Sequence, residues 1–285
     1  VNTVNPQLIY ARVTNGDTDC SATAAVLLKV EQLPQVTLEE TYRLCVDANG
    51  NPIPEEFGLP SPPVIDTGLS GDLYSFEWFL NGELLLGQDE PFLEALSGGS
   101  YVVVVTELLT GCSSEAATTV TISSPPTDWN VEVITSAFSS DPAIEVTADG
   151  AGDYLFQLDD GLPQAEGLFE GVSPGLHLVT IFDVNGCGSV TEEVSIIDYP
   201  RFVTPNQDGY HDTWNIIGMD EVDPAAKIYI FDRFGKLLKQ LSPLGPGWDG
   251  TYNGNPMPST DYWFRVEYTV NGELREFKGH FTMKR

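Results

Sequence analysis

Hydrophobic and polar positions alternate with a period of two through most of this chain. Ile9-Tyr10-Ala-Arg-Val-Thr, Ser100-Tyr101-Val-Val-Val-Val-Thr and Gly175-Leu-His177-Leu-Val-Thr-Ile-Phe-Asp are three such runs. Each is followed by a polar turn that ends at a cysteine (Cys20, Cys112, Cys187). Each then resumes as a second alternating run: AAVLLKV, AATTVTI or SVTEEVSI. A strand, a turn and a strand of this kind form a β-hairpin. Three copies predict three hairpins that each close a sandwich. A proline-bearing boundary follows each copy: Leu33-Pro34, Ser124-Pro125-Pro126 and Tyr199-Pro200. Proline cannot donate to a sheet ladder, so it suits the space between domains.

The repeat divides the 285 residues into four parts. Residues 1–33 are the closing hairpin of a truncated domain, 34–124 and 125–198 are two domains, and 199–285 is a terminal module. The expected fold is all-β, with tandem antiparallel β-sandwiches. Asp159-Asp160-Gly161, Ser173-Pro174-Gly175 and Asn185-Gly186 mark turns of the third part. In the last part, Lys227–Phe231 alternates, Asp232–Gly235 turns, and Lys236–Lys239 pairs back. Tyr262–Tyr268 is an aromatic strand, and Asn271-Gly272 is a hairpin signal before Leu274–Met283.

Charge separates the same parts. The net charge is −29, and residues 1–198 hold 3 basic and 31 acidic groups. Residues 199–285 hold 10 basic and 11 acidic groups. Nucleic acid is therefore excluded as a partner of the first two-thirds, because phosphate needs cations. No run is long and apolar enough to span a membrane. No leader precedes the first strand, so the chain reads as the C-terminal piece of something longer. The cysteines lack CxxC spacing and nearby histidines, which argues against zinc and for structural disulfides in an oxidising compartment.

Chemistry is sparse. His177, His211 and His280 lie in three different contexts, and no Ser-His-Asp set can be assembled from them. No phosphate loop, HExxH or glycosidase carboxylate pair stands out. The chain reads as non-catalytic. Asn206, Asp208 and Asp212 in the turn Thr204–Asp212 have two readings. Their spacing is that of a calcium loop, but an EF-hand's first carboxylate and bidentate Glu are missing. Asx turns that cap backbone amides are favoured.

Five motifs in order fill the last part: TPNxDGxxDxW (204–214), IxIFDRxGK (228–236), WDGTYNG (248–254), PxPSTDYW (256–263) and FKGHF (277–281). Together they resemble the gliding-motility-associated, or type B, C-terminal sorting domain of the Bacteroidetes type IX secretion system. Residues 125–198 are similar to the small repeats that precede it in gliding adhesins. The tandem sandwiches resemble immunoglobulin-like repeats. The resemblance implies transit through the periplasm, export by the type IX translocon, and retention on a small outer-membrane barrel of the PorP/SprF type. It implies a secreted, cell-surface adhesin stalk; the alternative is the delivery region of a secreted hydrolase. Carried onto this sequence, the sorting residues are Pro205, Asn206, Asp208, Gly209, Asp212, Trp214, Phe231, Asp232, Arg233, Gly235, Trp248, Asp249, Gly250, Tyr262, Gly279, Phe281, Lys284 and Arg285. The basic end (Lys278, Lys284, Arg285) either docks to acidic groups or is solvated. The family usually has Gly where Gln207 stands; a type I turn needs none there, so the change should cost little.

The Cys45–Trp78–Cys112 order resembles the bridge of immunoglobulin domains and implies a Cys45–Cys112 disulfide. Cys20 is then unpaired and Cys187 a buried free thiol; a Cys20–Cys45 bridge is the alternative. A carbohydrate-binding sandwich would use Trp78, Trp129 or Trp263 at the surface, although core packing is the better reading for each.

Overall fold

The computed structural model describes residues 5–53, 62–270 and 272–285. Asn271, the first residue of one expected hairpin turn, lies outside the described residues. The chain forms two compact units, Val1–Ile122 and Ser123–Arg285. Strands dominate both, and one four-residue helix is present among the described residues.

In the first unit, β1 (Gln7–Thr14) and β2 (Ser21–Leu28) form a two-stranded antiparallel sheet. The repeat aligns Ile9, Ala11 and Val13 with Tyr101, Val103 and Val105, yet Ile9 and Val13 are exposed. A sandwich follows. Its main sheet contains β3 (Thr41–Cys45), β5 (Tyr74–Leu80), β6 (Glu83–Leu84), β8 (Gly99–Glu107) and β9 (Ser113–Ser123), in the order β3-β9-β8-β5-β6. The second sheet pairs β4 (Val64–Asp66) with β7 (Phe92–Glu94). Leu44, Ile65, Phe76, Trp78, Leu93, Tyr101, Val103 and Val105 form the core between them. Alternation produces this core, since residues i and i+2 share a face. Trp78 is fully buried and donates its indole N–H to Glu90 O at 3.0 Å, so it presents no surface to a sugar.

The second unit holds two sandwiches. In the first, β10 (Asp128–Val133), β11 (Ala143–Asp149) and β13 (Leu168–Glu170) form one sheet. β12 (Tyr154–Leu158), β14 (Gly175–Asp183) and β15 (Ser189–Ile196) form the other. Ile144, Val146, Phe156, Val179 and Ile181 fill the space between. This two-sheet antiparallel arrangement is immunoglobulin-like.

The terminal sandwich has a five-stranded sheet of β16 (Phe202–Val203), β17 (Lys227–Phe231), β18 (Leu237–Leu241), β21 (Asp261–Val270) and β22 (Glu273–Met283). Their order is β16-β22-β21-β17-β18, with β16 parallel to β22. A short helix, α1 (Met219–Val222), and a two-residue pair, β19 (Thr251–Tyr252) with β20 (Asn255–Pro256), lie between. Outside these strands, isolated bridges join Trp214 to Trp248 and Asp198 to Ile217. Both indoles are buried in the core of this sandwich. Trp214 stacks on Phe281 with centroids 4.1 Å apart, and Trp248 meets Tyr262 edge-on at 4.8 Å.

Phe138 joins the two sandwiches of this unit. It belongs to the loop between β10 and β11, yet it is buried in the terminal core. It stacks on Phe277 at 4.0 Å and meets Tyr268 edge-on at 5.9 Å. Its N–H donates to Ile197 O at 3.0 Å. Its φ is +65°, a conformation that costs a bulky L-residue energy.

The expected Cys45–Cys112 disulfide is not formed: Cys112 is a free thiol, and so is Cys20. Cys45 and Cys187 are each disulfide-bonded. Strand direction explains the failed pairing. Glu40 O accepts from Thr119 N and Tyr42 O from Thr121 Oγ1, so β3 runs parallel to β9. Cys45 is thus level with the end of β9, whereas Cys112 precedes its start. At ~3.3 Å per residue the two lie roughly 35–40 Å apart, far beyond the ~7 Å Cα limit for a bridge. Cys187 is buried as expected but is not free. The Cys20–Cys45 alternative fails because Cys20 is a thiol.

Candidate functional site

Each sandwich carries a polar latch at the start of the strand that follows its last crossing. Tyr101 donates its hydroxyl to Ser97 O at 2.8 Å, and Tyr262 donates to Pro258 O at 2.7 Å. Both bonds reach back four residues, as in a tyrosine corner. Burial raises the pKa of both phenols. In the middle sandwich the latch is a histidine. His177 Nε2 lies 2.7 Å from Ser173 O, again four residues back, and Nδ1 lies 2.7 Å from Asp159 Oδ2. Two acceptors face the two ring nitrogens, so both bonds are made only when both nitrogens carry protons. Burial pushes the Asp159 carboxyl up, but hydrogen bonds from His177 and Leu178 N–H and the imidazole charge hold it below its ordinary range.

This corner brings together a Ser, a His and an Asp that sequence reading left apart. It is not arranged for nucleophilic attack. The ring nitrogen near Ser173 Oγ (3.5 Å) is engaged by the carbonyl of the same residue, and the ring is buried. A general base needs that nitrogen open toward the nucleophile.

The loop 204–212 is built around Asp212. Its Oδ1 accepts from Asn206 N (3.0 Å) and Gln207 N (2.5 Å), and its Oδ2 from Gly209 N (2.8 Å). Asp208 Oδ1 accepts from Tyr210 N, and Asp208 Oδ2 from Asn206 Nδ2, each at 2.8 Å. These bonds hold the Asp208 pKa below its ordinary value, the Tyr210 amide first among them. The carboxylates that would have served calcium thus cap amides. No cluster of three His, Cys, Asp or Glu residues suited to a metal occurs among the described residues. Gln207 takes φ +66°, so the turn is one that favours glycine there, and the substitution is strained rather than cheap.

The other sorting candidates divide by role. Trp214, Trp248, Tyr262 and Phe281 are core. Asp232 and Asp249 cap their own turns, at Phe234 N, Lys236 N and Thr251 N, and Gly235 completes the first of these turns. A Cβ on Gly279 would sit 2.6 Å from the Phe264 ring, so this glycine lets an aromatic cross the sheet. At Gly250, with φ +74°, a Cβ would come within 3.0 Å of the Met283 sulfur and reach Pro205. Pro205 therefore packs beside the turn that carries Gly250. The basic end is anchored. Lys284 N donates to Val203 O at 2.9 Å, and Arg285 Nη2 donates to Gly250 O at 2.9 Å.

What remains outward is an open groove of about 580 Å³ on the terminal sheet. Phe231, Asp232, Arg233, Gly235 and Gly279 line it together with Trp263, Arg265, Lys278 and His280. The last four include residues that sequence reading did not place among the sorting candidates. The signal was available: in the alternating strands, Trp263, Lys278 and His280 fall out of phase with the buried Tyr262, Phe264 and Phe281. Trp263 is 43% exposed. Trp129 is also partly exposed, with its indole N–H given to Glu192 Oε2 at 2.7 Å.

Residues 197–283 match the CHU_C type IX secretion signal domain. The C-terminal module is thus a type IX secretion signal, preceded by immunoglobulin-like sandwiches. It implies handling by that secretion system and export to the surface or beyond. No curated protein matches the chain. Solved structures similar to it include murine CEACAM1b (9% identity, 56% of this chain and 97% of that one, TM-score 0.35). The titin I-band fragment I67–I69 is similar at 8% identity (90% and 100%, TM-score 0.33). Three domains of the bacteriophage RB49 outer capsid protein Hoc are similar at 12% identity (78% and 93%, TM-score 0.28).

Proposed function

We propose that the chain is the C-terminal stalk and address of a large cell-surface protein, an adhesin of gliding bacteria. The sandwiches form an acidic, non-catalytic stalk, and the terminal module holds the protein at the outer membrane on a small PorP/SprF-type barrel. The observation that carries this reading is the secretion signal match over residues 197–283. The charge division supports it: residues 1–198 are strongly acidic, while the module is nearly neutral. Like charges along such a region repel one another and favour solubility. Affinity capture of the tagged chain from native outer membranes tests the retention step. The barrel should co-purify with the full chain and be lost when residues 199–285 are deleted. Equal recovery with and without those residues would refute it.

A further inference from the structure

We infer that the outward groove of the terminal sheet is the face by which the export machinery grips the signal, and that it takes a carboxylate-bearing extended segment of that machinery. The inference rests on the reading of this module as a secretion signal and adds which face is read and by what chemistry.

Strand register sets the groove out in rows. Phe231, Trp263 and His280 are cross-strand neighbours in one row, and Tyr229, Arg265 and Lys278 in the next. Cross-strand neighbours share a face, so an aromatic row lies beside a cationic one. The Arg265 guanidinium lies over the Tyr229 ring at 4.8 Å, which ties the second row together.

Cations outnumber carboxylates in the groove lining: Arg233, Arg265 and Lys278 against Asp232. Glu276 is taken up by Lys278 at 2.7 Å and by Arg265 at 3.7 Å, and Glu267 by Arg265 at 3.0 Å. Asp232 Oδ1 is taken up by two turn amides. The donors are not all used. Arg233 only leans over the Phe234 ring and has no carboxylate partner among the described residues. Arg265 Nε is buried without a hydrogen-bond partner. The His280 ring contacts Trp263 and makes no hydrogen bond among the described residues.

The Arg233 guanidinium thus stands at the groove beside the aromatic row without a carboxylate of its own among the described residues. A planar guanidinium matches a carboxylate in a two-pronged bond. The half-exposed Phe231 and Trp263 beside it would cover an apolar side chain of the same segment. Core packing explains the inward members of the three motifs that meet here, but it does not explain Arg233, Trp263 or His280.

The test is export of a reporter fused ahead of the full chain, in a bacterium with a type IX system, read as the fraction accessible to protease on whole cells. Arg233→Glu and Trp263→Ala should each lower that fraction at least tenfold, with melting temperatures within a few degrees of wild type. The milder pair Arg233→Gln with His280→Gln should lower it too and guards against misfolding. Arg12→Glu, the same charge change on β1, should export normally. If the groove variants export like wild type while deletion of 199–285 blocks export, the groove is not the gripping face and the signal reading stands. If the deletion also exports, the signal reading falls and this inference falls with it.

Discussion

Replacing Phe138 by alanine should loosen a sandwich to which Phe138 does not belong. The ring is 8% exposed and stacks on Phe277 at 4.0 Å. A phenyl side chain that buries ~150–200 Å² contributes about 4–5 kcal/mol at ~25 cal/mol per Å². That agrees with the ~3–5 kcal/mol that a Phe→Ala change costs in a core. Phe138→Gly should be milder than Phe138→Ala, the reverse of the usual order. At φ +65° glycine relieves ~1–2 kcal/mol of left-handed strain. Its greater freedom in the unfolded chain takes back about 0.4–1 kcal/mol. Glycine should therefore recover about 0.5–1 kcal/mol of the loss. Hydrogen exchange of the amides between β21 and β22 provides the assay, since their protection reports the opening of the terminal sheet. For Phe138→Ala, protection should fall by roughly two to three and a half orders of magnitude, at 1.36 kcal/mol per tenfold. Unchanged protection in β21 and β22 would refute the coupling. A glycine variant looser than the alanine one would refute the strain argument.

Other outcomes follow from the same geometry. Gln207→Gly should stabilise the terminal module by about 0.5–1 kcal/mol in urea unfolding, by relief of left-handed strain less the entropy of glycine. Iodoacetamide without reductant should label Cys20 and Cys112, and Cys45 and Cys187 only after reduction, as read by peptide mass. Tyr262→Phe should cost about 1 kcal/mol through loss of its bond to Pro258 O. Asp159 has a folded pKa below its unfolded value near 3.9. Its contribution is thus complete above that value and is lost as pH falls through the lowered folded one. The protection factor of the Leu178 amide, which donates to Asp159 Oδ1 at 2.9 Å, should fall in that acid window once the intrinsic pH dependence of exchange is divided out.

Local chemistry made part of this structure legible. Period-two alternation in Tyr101–Val105 and Tyr262–Tyr268 put the inward residues where the core needs them, and Asp232 followed by Gly235 marked a turn. Global direction was not legible. Cys45 and Cys112 flank a tryptophan in the order that suggests a bridge, but the parallel run of β3 on β9 sets them at opposite ends of one sheet. Gln207 stood in a turn whose type depends on Asp212 capping three amides, which spacing alone does not reveal. Phe138 was hidden because a loop aromatic carries no periodic signal, and its partners lie in another sandwich. His177 looked isolated because Asp159 reaches it only through strand pairing. The outward row of Trp263 and His280 was readable from phase, but its meaning depends on which donors the fold leaves unpaired.

The terminal module is a secretion signal within the compact unit Ser123–Arg285. A periplasm-targeted fluorescent reporter fused to residues 123–285, expressed in a bacterium with a type IX system, provides the decisive measurement. The fusion should reach the cell surface or the medium, and the same fusion ending at residue 198 should stay in the periplasm. Periplasmic retention of the folded 123–285 fusion, or export of the shortened one, would contradict that role.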